Sequence, residues 1–177
     1  MSCKFVLNCS DLISWQQLVD AIPSTSGKAV LPDKDTLNKE YQLLYKLWDN
    51  AGVNYSSARW KNYYPGEYCT SISDTFEIIL GVTHIRSWIS RIDPGYNAPW
   101  HYDIDDNEKE YLKLGNLRRF ICFIGAPAVG HVSIVGRKCF YNEADGNVYE
   151  WDNYSAWHAG ANVGLVPKYQ YNFLAYS

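Results

Sequence analysis

The chain has 177 residues, of which 47% are hydrophobic, 16% aromatic and 20% charged, which excludes a disordered chain and supplies apolar surface for one real core. Sixteen Lys and Arg against nineteen Asp and Glu leave a formal charge of -3. That balance offers no broad cationic face to a nucleic-acid backbone, so no nucleic-acid partner is expected.

No run of the sequence approaches the ~18 apolar residues of a membrane span, and the first residues lack the apolar stretch of a signal peptide. The expectation is a soluble cytoplasmic protein with no membrane partner; nothing in the sequence sets its oligomeric state. Cys3, Cys9, Cys69, Cys122 and Cys139 show neither CxxC pairs nor the density of a disulfide-stapled chain, and read as reduced thiols, those in apolar strands being core.

In chain order, Ser10 reads as an N-cap with Asp11 in the first turn, and Leu12, Trp15, Leu18, Val19 and Ile22 form the apolar stripe of a helix that ends at Pro23. A loop through Gly27 and Pro32 leads to a second helix from Asp35, with Leu37, Tyr41, Leu44, Tyr45 and Trp48 at helical spacing and Gly52 as its stop. Residues 53–70 carry Tyr55, Trp60, Tyr63, Tyr64 and Tyr68 among Ser, Asn, Pro and Gly. This composition suits a surface loop whose rings either pin it to the core or form a substrate lip. Strands are predicted over 76–80, 85–92, 118–125, 131–135, 147–151 and 169–176. The last alternates Tyr169, Tyr171, Phe173 and Ala175 with Gln170, Asn172, Leu174 and Tyr176. The fold class is therefore mainly β with N-terminal helices, a sandwich or jelly-roll barrel. No repeat or linker divides the chain, which reads as a single domain over 1–177: helical and loop support over about 1–75, β core over about 76–177.

The segment Asp93-Pro-Gly-Tyr-Asn-Ala-Pro-Trp-His-Tyr-Asp103 places His101 and Asp103 two apart after a turn. On an extended strand, positions i and i+2 share a face, so a nitrogen and a carboxylate can converge on one ion. His158 arrives fifty-five residues after Asp103, at the rim between two predicted strands. Two imidazoles and one carboxylate suit non-haem Fe(II) with positions left open on the metal. Lys168, ten residues beyond His158, starts the last strand, where a cation can meet the far carboxylate of a keto acid.

These residues resemble the Fe(II)- and 2-oxoglutarate-dependent dioxygenases with a double-stranded β-helix (cupin-like) core, most closely the aspartyl/asparaginyl β-hydroxylase-like branch. The resemblance covers about residues 86 to 176 as an ordered set of short motifs. Ser90 stands eleven positions before His101, Pro94-Gly95 supplies the turn, Trp100 flanks the histidine, and Arg118-Arg119 opens a strand that leads to Pro127. The resemblance implies His101, Asp103 and His158 as iron ligands, Ser90, Arg119 and Lys168 as contacts of 2-oxoglutarate, and O2 as the other co-substrate. It also implies hydroxylation of a substrate with release of succinate and CO2, the substrate being a side chain of a peptide or protein, or a small molecule. Two departures stand out. Asp103 occupies a position where the branch often has glycine, and lysine stands at 168 for the usual arginine, as in collagen-type prolyl hydroxylases. About ten extra residues, Asp105 to Gly115, follow Asp103 and read as a lid or a solvated loop.

A different class remains open: a zinc-binding or non-catalytic cupin-like module that binds a ligand on the same barrel. A third reading has His101, Asp103 and His158 hydrogen-bonded in a polar core. His84 and His131 lack a partner at ligand spacing and read as core or edge histidines. Arg118 and Arg119 point to opposite faces of a strand, so at most one lines the site. Trp100 and Trp157 read as pocket wall or barrel packing.

Overall fold

The computed structural model describes residues 3–22, 28–30, 35, 38–64, 71–103, 107–151 and 156–177. Its elements run β1 (Cys3–Asn8), α1 (Trp15–Ala21), β2 (Lys28–Val30), α2 (Lys39–Asn50), β3 (Trp60–Tyr63), α3 (Ser71–Leu80), β4 (Thr83–Ile92) and β5 (Asn97–His101). They continue with α4 (Glu108–Tyr111), β6 (Leu117–Ile124), β7 (His131–Val135), β8 (Lys138–Phe140), β9 (Asn147–Trp151), β10 (His158–Asn162) and β11 (Lys168–Tyr176). One sheet has the order β1-β9-β6-β11-β4-β3-β2, the other β5-β10-β7-β8. From β4 to β11 the chain passes back and forth between the two antiparallel sheets, which is the double-stranded β-helix, or jelly roll, that the sequence predicts. Among the described residues no helix is long and apolar enough to cross a membrane.

Strand β11 shows how the layers are arranged. Tyr171, Phe173 and Ala175 bury on the outer face of the large sheet, in one cluster with Trp15 and Leu18 of α1 and Ile72 and Phe76 of α3. Each such side chain withdrawn from water contributes about 1.5–3 kcal/mol. The alternate residues Lys168, Gln170 and Asn172 face the space between the sheets, where a solvated strand would face water. Strand β6 repeats the division, with Phe120, Cys122 and Ile124 outward in that cluster and Arg119 and Ile121 inward on the cavity. The large sheet is thus covered by helices outside, while its inner face carries polar groups beside an apolar cluster of Ile121, Phe123, Tyr149 and Trp151.

The turn that delivers β5 is locked from the opposite strand. Gly95 adopts φ +82, which only glycine takes without strain, and its N–H donates to the Asn162 carbonyl at 2.8 Å. The buried Asn162 amide donates at 2.8 Å to the carbonyls of both Ile92 and Val166.

Several sequence expectations are corrected. Residues 76–80 belong to α3, because Ile72, Phe76 and Ile79 bury at helical spacing and a strand would turn every second one outward. The first helix starts at Trp15, since the Ser10 hydroxyl donates to Asn8 Oδ1 at 2.7 Å in a turn and caps nothing. The second starts at Lys39, where Asn38 Oδ1 accepts the N–H groups of Glu40 and Tyr41 at 2.9 and 3.2 Å. The N-terminal part is not purely helical and looped: β1, β2 and β3 extend the large sheet. The aromatic stretch contains β3, in which Tyr63 is fully buried while Trp60 lines the cavity; Tyr68 lies outside the described residues. The acidic insertion holds α4, while residues 104–106 and Cys69 lie outside the described residues. Cys3, Cys9 and Cys122 are buried free thiols, as expected, and Cys139 is exposed.

Candidate metal centre and cavity

His101 ends β5 and His158 begins β10, and the two strands pair so that these residues lie directly across from one another. Their rings stand 4.2 Å apart between centroids. Asp103, two residues beyond His101, brings its carboxylate to the same place, and ligand atoms of all three residues lie within 4.8 Å of one another. His101 Nδ1 lies 2.5 Å from the Pro99 carbonyl and His158 Nδ1 lies 2.8 Å from that of Ala156. A carbonyl only accepts, so each ring donates through Nδ1 and leaves Nε2 with its lone pair free for a ligand bond. Burial pushes His101 down to about 4 and His158 well below the usual imidazole value, which keeps both rings neutral as metal ligation requires.

The carboxylate is divided between two neighbours. Arg119 Nη1 donates to Asp103 Oδ2, while Oδ1 stands 3.8 Å from His158 Nε2. Arg119 is only 2% exposed and lies between the rings of Trp88 and Trp151, at 4.6 and 4.5 Å. Burial, with Arg86 nearby, lowers it to about 9, still charged at neutral pH. Its Nε has no hydrogen-bond partner among the described residues. Arg118 turns outward and pairs with Glu150 through two hydrogen bonds of 2.7 and 3.0 Å. The strand alternation thus divides the two arginines as the sequence predicts.

A cavity of about 390 Å³ runs inward from these groups, lined by Trp60, Trp88, Ser90, Trp151, Gln170 and Asn172 among others. Ser90 Oγ donates to Asn62 Oδ1 and accepts from Asn172 Nδ2, both at 3.0 Å. Asn172 Oδ1 in turn lies 3.4 Å from Arg119 Nη2, so Ser90 and Arg119 belong to one polar chain along the wall. At the inner end, Ser133 Oγ accepts from Lys168 Nζ at 2.5 Å and Gln170 Nε2 at 2.6 Å. With two donors on its lone pairs, the Ser133 hydroxyl hydrogen is left to donate to an acceptor.

Lys168 does not stand on the cavity wall itself. Its ammonium lies behind Gly160, where an added Cβ would come 3.2 Å from Nζ and 2.9 Å from Ile92 Cδ1. Burial alone lowers Lys168 to about 7. Among the described residues its hydrogen-bond partners are the Val132 carbonyl and the Ser133 hydroxyl, and a buried amine so placed suits an anionic ligand next to it.

The donor set fits a divalent transition metal, and the Gly160 cradle beside a buried amine fits a carboxylate. The sequence reading missed Ser133, Gln170, Asn172 and Asn62. The polar side of the alternation in β11 was the available signal for two of them. His84 lies with its ring stacked on Phe173, and His131 bonds the Val166 carbonyl at 2.9 Å; neither joins the cluster.

No family model matches the chain, and no curated protein matches its sequence. Solved structures similar to it include the viral collagen prolyl hydroxylase vCPH of Paramecium Bursaria Chlorella virus-1 in its 2OG complex, at 15% identity over 87% of this chain and 98% of that one, TM-score 0.49. Another is a prolyl hydroxylase of Trichoplax adhaerens in complex with a hypoxia inducible factor peptide fragment, at 10% identity over 92% and 89%, TM-score 0.47. A third is the Escherichia coli ribosomal oxygenase YcfD, at 10% identity, covering 100% of this chain but 54% of that one, TM-score 0.44.

Proposed function

We propose that this chain is an Fe(II)- and 2-oxoglutarate-dependent oxygenase that hydroxylates a side chain of a peptide or protein. The observation that carries the reading is the convergence of His101, Asp103 and His158 on a polar cavity that Ser133 also lines, with the buried Lys168 amine bonded to Ser133 just behind that wall. Two imidazole Nε2 atoms and one carboxylate oxygen would hold Fe(II) from one side, the donor set of non-haem iron oxygenases. When bound, the metal with 2-oxoglutarate supplies the O2 activation, coupled to release of succinate and CO2.

The chain's own residues do the positioning. Arg119 fixes Asp103 through one oxygen and leaves the other for the metal, and the carbonyls of Pro99 and Ala156 fix the tautomer of each ring. Lys168 and Ser133 bind the far carboxylate of 2-oxoglutarate, the cation through charge and the hydroxyl through its one hydrogen. Trp60, Trp88 and Trp151 keep water from the reacting end. The closer assignment, to the aspartyl/asparaginyl β-hydroxylase-like branch, rests on Ser90, the Pro94-Gly95 turn and the ten-residue spacing of Lys168 from His158.

The test is an anaerobic Fe(II) titration with and without 2-oxoglutarate. A weak visible charge-transfer band that needs both components supports the oxygenase. Metal binding with no band on adding 2-oxoglutarate contradicts it and favours a zinc-type binding module.

A further inference from the structure

A second depression lies against the outside of the metal centre. It is an open groove of about 820 Å³ walled by Leu47 and Trp48 of α2, Trp100 of β5, Gly136 and Arg137 of the β7–β8 turn, and Trp157. Trp100 and Trp157 are the residues immediately before His101 and His158. Trp48 lines both the groove and the inner cavity, and its indole N–H donates to the Trp100 carbonyl at 2.7 Å. On the opposite wall the Gly136 N–H donates to the Trp157 carbonyl at 2.9 Å. Both walls are therefore hydrogen-bonded to the backbone one residue from a metal-ligating histidine.

The chemistry of the groove restricts that occupant. The indoles of Trp100 and Trp157 offer flat, rigid apolar surface over the buried Trp48, and Leu47 and Trp100, at 45% and 40% exposed, present uncovered area to it. Among the described residues, the one ionisable side chain lining the groove is that of Arg137, exposed on the turn. We propose that this groove is the docking site for the segment of a polypeptide substrate that flanks the hydroxylated residue, and that it selects a bulky aromatic side chain next to an acidic one. The inference rests on the peptide-hydroxylase reading. Trp48, which lines both the groove and the cavity, places the two side by side, and Arg137 says which charge the segment carries.

The test follows the indole N–H signals of the ¹⁵N-labelled, metal-free full chain during titration with three capped peptides: acetyl-Glu-Phe-Gly-amide, acetyl-Lys-Phe-Gly-amide and acetyl-Glu-Ala-Gly-amide. The Glu-Phe peptide is expected to shift the indole signals of Trp48, Trp100 and Trp157 saturably and to bind about threefold tighter than the Lys-Phe peptide, the size of one screened surface charge pair. The Glu-Ala peptide is expected to bind at least about tenfold more weakly, as for loss of an aromatic anchor. Arg137→Glu, at an exposed position that leaves folding intact, is expected to reverse the charge preference, and Trp100→Ala to abolish saturation. Equal affinities for the three peptides, or a preference unmoved by Arg137→Glu, would overturn the proposal. Because no metal is present, failure of the groove shows as absent indole shifts, whereas failure of the oxygenase reading shows as an absent charge-transfer band.

Discussion

Arg119 holds Asp103 beside the candidate metal cluster: the guanidinium takes Oδ2, and Oδ1 is left facing His158 Nε2 at 3.8 Å. Asp103 stands just beyond the end of β5, where no strand ladder fixes its backbone, so this ion pair does the positioning. Because Arg119 lies on β6 with its guanidinium between two indoles, the pair ties Asp103 to the large sheet.

Arg119→Lys keeps a charge but loses the planar fork that reaches Asp103 and Asn172 together. The expected outcome is a fall of about 10–100-fold in Fe(II) affinity, the range for loss of a group that orients a metal ligand. Calorimetric titration of the metal checks it. Unchanged Fe(II) affinity with weakened 2-oxoglutarate binding would instead make Arg119 a co-substrate contact only.

Gly160→Ala places a methyl 3.2 Å from Lys168 Nζ and 2.9 Å from Ile92 Cδ1. The cradle then closes, and the 2-oxoglutarate requirement is expected to rise at least about tenfold while Fe(II) affinity holds, since each lost contact of about 1.4 kcal/mol is tenfold. Equal losses in both would mean that the substitution displaces β10 and its histidine. Lys168→Ala is expected to give the same split.

Lys168 sits at about 7 in the fold, so at pH 8 most of the population is neutral. A bound carboxylate favours the ammonium. Binding of 2-oxoglutarate at pH 8 is thus expected to take up close to one proton, and to weaken as pH rises above 7. Calorimetry in buffers of different ionisation enthalpy reads the uptake; none at pH 8 contradicts the assignment of Lys168 as the anchor.

His101 titrates at about 4 in the fold, against roughly 6.5 in an unfolded chain. Between those values the unfolded chain binds more protons, so the metal-free protein keeps this stability above about pH 6.5 and loses it as pH falls through 4. The slope is at most about 1.4 kcal/mol per pH unit for one histidine. His158 shifts in the same direction. Urea unfolding between pH 7 and 4.5 should show the decline, and His101→Ala should flatten it; a wild-type protein whose stability is level over that range contradicts the buried neutral pair.

Strand β11 was legible in the sequence because its period of two survives in Tyr171, Phe173 and Ala175 on one side and Gln170 and Asn172 on the other. Helix α3 was not, because its first half lies upstream of the run Phe-Glu-Ile-Ile-Leu, and five apolar-rich residues carry no period that separates helix from strand. The candidate metal cluster was legible through His101 and Asp103, two apart in sequence, although Asp103 lies just beyond the end of β5 and not on the strand itself. Ser133 was not, because its role comes from Lys168 and Gln170 reaching across from the other sheet, a relation between strands that no spacing along the chain encodes.

The proposed centre has three side chains holding one ion, His101 and His158 from two paired strands and Asp103 from just beyond β5. Fe(II) binding to the anaerobic full chain, with stoichiometry read by calorimetry and elemental analysis, tests it across single alanine variants. The account predicts one ion per chain, lost in His101→Ala, Asp103→Ala and His158→Ala and retained in His84→Ala and His131→Ala. One ion per chain still bound after any of the first three substitutions at wild-type affinity would contradict it.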